Sequence, residues 1–84
     1  MTKMNSRYEQ MMLIGDLERL GTMIPFEEDR IKTGKLFLIY NAFGCLDDYQ
    51  MEVGREILAR ANAEIARVQA EDLAQFLARA NGTN

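Results

Sequence analysis

Eighty-four residues, 48% hydrophobic and 27% charged, describe one soluble domain, because so short a chain cannot divide into two separately stable cores. Ten Lys and Arg against thirteen Asp and Glu leave a net charge of −3, which gives no general attraction to phosphate backbones or anionic membranes. A lone cysteine, Cys45, excludes an internal disulfide, and with no His the ligands for a structural zinc are missing, so no metal and no cofactor is expected. A domain this small has a marginal core, and association becomes the expected extra source of stability.

The chain opens Met1-Thr2-Lys3-Met4-Asn5 and then offers only four consecutive apolar residues, 11–14, far short of a signal-peptide core. The cytoplasm is therefore the expected location. Ser6-Arg7-Tyr8-Glu9 has the spacing of a capping box. Leu13, Leu17, Leu20 and Ile24 follow at helical intervals, and Gly21 supplies a stop, which predicts helix 1 over about 7–21. On its other face lie Met4, Tyr8, Met11 and Met12. Flexible, polarizable methionines suit an adaptable surface, so these four are partner-binding candidates; the competing expectation is that they cover helix 3 of the same or a second subunit.

Pro25 is tolerated in a first helical turn, and Glu27, Glu28 and Asp29 complement the positive end of a helix dipole, which predicts helix 2 over about 25–44. Its second half enters the most apolar stretch of the chain, LFLIYNAFGCL, residues 36–46. Eleven residues are about half of the ~20 needed to span a bilayer, so a membrane segment is excluded. Read as a strand it would have no second strand to pair with. Read as a helix it is apolar on every side, which predicts a helix enclosed on every side, with Gly34 as the place where it would break or bend.

Cys45 has no His to activate it and reads as a buried structural thiol. Arg30, Lys32 and Lys35 form the one basic cluster; a helix-turn-helix reader would present it on a polar second helix, whereas this helix turns apolar, so the cations are expected to pair with neighbouring acids.

Asp47 with Gln50 marks the next helix start, no Pro follows, and Asn81-Gly82 supplies a stop, which predicts helix 3 over about 48–80, some 50 Å long. Two shorter helices cannot cover a rod of that length. Ile57, Ala61, Ile65 and Val68 form a core stripe. A second stripe, Ala59, Ala63, Ala66, Ala70, Leu73, Leu77 and Ala80, steps four and three alternately, as a coiled-coil seam does, and is the expected dimer interface. Alanine is also the best helix former, so its share of that stripe has a second explanation in propensity; Leu73 and Leu77 do not. Between the stripes run Glu56, Arg60, Glu64, Arg67 and Glu71 as a solvated edge, and Asp48, Glu52 and Glu56 read as an acidic edge rather than a metal site. The Ile/Val stripe ends at 69–72, where helix 3 either stays straight or bends.

The expected fold is all-α: a three-helix subunit, two shorter helices and a long C-terminal one, joined into a dimeric helical bundle over 1–84. No catalytic residues are identified and no enzymatic activity is expected. The expected function is a small protein-protein interaction module, of the adaptor, chaperone or inhibitor kind that bacterial and phage genomes encode, acting as a homodimer or small oligomer on another protein. The alternative is a small DNA-binding transcription regulator, although nucleic acid is disfavoured by charge.

Overall fold

A computed structural model describes residues 6–82, and among them the fold is all-α, with no strand. Helix α1 spans Arg7–Leu20, a 3-10 turn follows at Gly21–Met23, α2 spans Glu27–Phe43 and α3 spans Asp48–Gly82.

Local chemistry sets the ends. Ser6 Oγ accepts from the Glu9 amide at 3.1 Å, while its hydroxyl donates to Glu9 Oε1 at 3.3 Å. The second box is reciprocal: the Gln50 amide donates to Asp47 Oδ1 at 2.7 Å, and the Asp47 amide donates to Gln50 Oε1 at 2.9 Å. Each box satisfies amides that a helix start leaves without partners. Gly44 ends α2 in the left-handed region at φ 73°, its amide donating to the Tyr40 carbonyl at 2.7 Å. A residue with a Cβ would be strained there.

Pro25 lies outside the first turn where the sequence places it. Phe26 is the N-cap and α2 begins at Glu27, so Pro25 shapes the extended approach to the helix instead. Gly34 neither breaks nor ends α2, and α3 runs unbroken through 69–72.

Both shorter helices pack on the first half of α3. The core comprises Leu13, Ile14 and Leu17 of α1, Ile24, Leu36 of α2, Leu46, and Met51 and Ile57 of α3, with Leu20, Phe37, Ile39, Tyr40, Val53 and Leu58 packed against it. Gly54 is buried at the α1 crossing.

The apolar stretch 36–46 is not enclosed on every side. Leu36 and Leu46 are buried, but Leu38 is 70% exposed and Phe43 75%. With only α1 and α3 available, α2 has one covered flank, and whatever points the other way meets water. Cys45, expected to be buried, is exposed: it follows the Gly44 cap, where the chain has left the packed helix. Ile57 and Ala61 are buried as the core stripe requires, while Ile65 is partly covered and Val68 exposed, because α1 and α2 reach no further along the rod.

Candidate interaction surface

From residue 66 through 82 every residue of α3 is exposed, a projecting rod of about 25 Å. The row that continues its core face, Ile65, Val68, Asp72, Gln75 and Arg79, turns polar where the other helices stop. The second stripe does not. Leu73 is 58% exposed, Phe76 65% and Leu77 48%, with Ala66, Ala70 and Ala80 on the same side. Ala59 and Ala63, lower on the stripe, are exposed as well. The projecting half is therefore amphipathic about a direction that its own subunit does not cover.

An ion-pair ladder runs along the edge beside this face. Arg67 pairs with both Glu64 and Glu71. The Glu64 hydrogen bond raises the Arg67 pKa, and the same bond holds the Glu64 carboxyl below its usual range.

At the base of the rod sits a link the sequence reading assigned to the helix dipole alone. Asp29, in the first turn of α2, is buried and paired with Arg60 of α3. Arg60 Nε and Nη2 donate to Asp29 Oδ2 and Oδ1 at 2.9 and 2.8 Å. The hydrogen bond from Arg60 holds the Asp29 carboxyl below its usual range against the opposing effect of burial, aided by the charges of Arg60 and Lys32. The pair floors an open groove of about 600 Å³ lined also by Pro25, Phe26 and Lys32. The periodicity of α3 places Arg60 on an edge but gives no register against α2, so its partner was not readable.

Tyr8, Met11 and Met12 lie together on the outer face of α1, all exposed; Met4 falls outside the described residues. Tyr8 and Met12 border a shallow groove shared with Arg55 and Leu58 of α3. A third apolar patch, Ile31 and Leu38 on α2, was missed by the sequence reading. The signal was present: these two lie seven residues apart, opposite the buried Asp29, Thr33 and Leu36.

Arg30, Lys32 and Lys35 are exposed, and among the described residues none joins an ion pair, while Asp29 is paired with Arg60. Asp48, Glu52 and Glu56 are exposed on α3. No family model, curated protein or solved structure matches the chain.

Proposed function

We propose that the protein is a small helical protein-protein interaction module, of the adaptor, chaperone or inhibitor type, that acts as a homodimer through the outer half of α3. The observation that carries this reading is the projecting helix, whose apolar stripe faces away from its own subunit. Leaving Leu73 and Leu77 in water forgoes about 1.5–3 kcal/mol each, a substantial fraction of the stability of so small a domain. Dimerisation through α3 leaves the outer face of α1, with Tyr8, Met11 and Met12, for a further protein partner.

Sedimentation velocity across a concentration series tests the proposal. A dimer at tens of micromolar is expected, and a monomer throughout that range would remove it.

A further inference from the structure

We infer that the second copy lies antiparallel along α3, with Leu73 of each subunit against Ala70 of the other and Phe76 seated beside the other's Met23. This inference rests on the homodimer proposed above and adds its geometry.

The amount of uncovered surface fits an occupant of this size. The chain exposes 6438 Å², where a compact monomer of its mass, 9.6 kDa, has about 5,100 Å². Its radius of gyration is 17.1 Å against about 12 Å for a compact chain of this length. The excess of about 1,300 Å² exceeds the ~800 Å² that each partner buries in a standard stable interface.

Packing along the stripe then chooses the direction. Parallel, in-register pairing sets every residue against itself: alanine on alanine through Ala70, then leucine on leucine at Leu73 and Leu77. Axes brought to about 8 Å by alanines would have to splay where the leucines meet. Antiparallel pairing about a centre between Glu71 and Asp72 sets large against small, Leu73 on Ala70 and Leu77 on Ala66, with Ala80 on Ala63. The separation of the two axes stays even.

The flanks give an independent reason. Gln69 and Phe76 border the stripe on the side facing the 3-10 turn, where Met23, Pro25, Ile65, Val68 and Gln69 line a largely apolar notch of about 280 Å³. An antiparallel pair brings like flanks together, so Phe76 of one subunit, level with Arg67 of the other, lies within a turn of the other's Gln69, at the mouth of that notch. Phe76 and Met23, both exposed in the single chain, would then cover each other, an aromatic ring against a thioether. In a parallel pair Phe76 meets the opposite flank near the far end of the rod, where no other element of either subunit lies.

Spin labels at Asn81, introduced as Asn81→Cys in a Cys45→Ser background, separate the cases, because residue 81 is exposed and off the stripe. In the antiparallel pair residue 81 lies level with residue 62 of the other copy, so the two labels are about 28 Å apart along the axis. A dimer with a distance distribution centred near 30 Å is expected. A dimer with any clearly different spacing, above all the ~10 Å of side-by-side parallel helices, overturns the orientation and leaves the homodimer standing. A monomer by sedimentation with no dipolar coupling overturns both.

Discussion

Asp29 and Arg60, 31 residues apart in sequence, hold α2 to α3 by two parallel hydrogen bonds of 2.9 and 2.8 Å between a buried carboxylate and a half-exposed guanidinium. The flat fork of arginine matches both carboxylate oxygens at once, so the contact fixes the register of the two helices as well as adding energy. Removing the carboxylate in Asp29→Ala is expected to cost about 1–2 kcal/mol, the value of charge-assisted hydrogen bonds reduced by solvent screening at the exposed Arg60. Urea unfolding at fixed protein concentration measures it.

The same pair gives stability a pH dependence of known sign. Because the Asp29 carboxyl is held below its usual range in the folded state, the unfolded chain takes up a proton first as pH falls. The contribution is complete above the ordinary aspartate value of about 4 and is lost as pH drops through the lowered folded value. Between pH 5 and pH 2.5 the urea midpoint of the wild type should therefore fall more than that of Asp29→Asn. Equal slopes for the two proteins would show that the pair contributes nothing.

Two glycines, both inside helices, should respond oppositely to alanine. A Cβ on Gly54 would lie 2.6 Å from Leu13 Cδ2 and 3.3 Å from its Cγ, inside the α1–α3 crossing, whereas one on Gly34 meets nothing within 4 Å. Gly34→Ala should raise stability by about 0.5–1 kcal/mol through helix propensity. Gly54→Ala has the same propensity gain but must displace a packed leucine, a change that costs about 1–3 kcal/mol, so its net effect should be destabilising. Thermal melts of the two variants beside the wild type decide the contrast.

Gln10 is buried on the core face of α1, and its Oε1 accepts the Leu46 amide at 2.9 Å, tying the α2–α3 connection to the first helix. Gln10→Leu keeps the volume and removes the acceptor. An amide left without a partner there should cost about 1–3 kcal/mol. Hydrogen exchange at Leu46 should rise with it, and unchanged exchange would count against the tie.

Leu73→Lys with Leu77→Lys tests the rod's apolar face with little effect on the subunit, since neither side chain touches the core. The proposed dimer should weaken at least about 100-fold, the equivalent of one buried leucine at the upper end of its usual range, while helix content at low concentration stays as in the wild type. A sedimentation profile identical to wild type would place the contact elsewhere.

Much of the local structure was legible in the residues. The capping pairs Ser6 with Glu9 and Asp47 with Gln50, the glycine end at Gly21, and the 3.6-residue rows of α1 and α3 are all written within a turn or two of sequence. So was the existence of two apolar stripes on α3. The outer face of α1 could be named as exposed methionine surface or as cover for α3, and nothing local chose between them.

Which of these rows is covered is a tertiary matter. The stretch 36–46 reads as apolar all round, yet covering it depends on how many neighbours α2 has, and with α1 and α3 alone Leu38 and Phe43 remain in water. Burial of Asp29, its pairing with Arg60, the passage of Leu13 over Gly54 and the reach of Gln10 to Leu46 each join residues more than 30 positions apart. Helical periodicity assigns a residue to a face but does not set the rotation or offset of one helix against another. Those two quantities are fixed only when side chains from both helices must occupy the same space, and here they decided where the core ends and the uncovered rod begins.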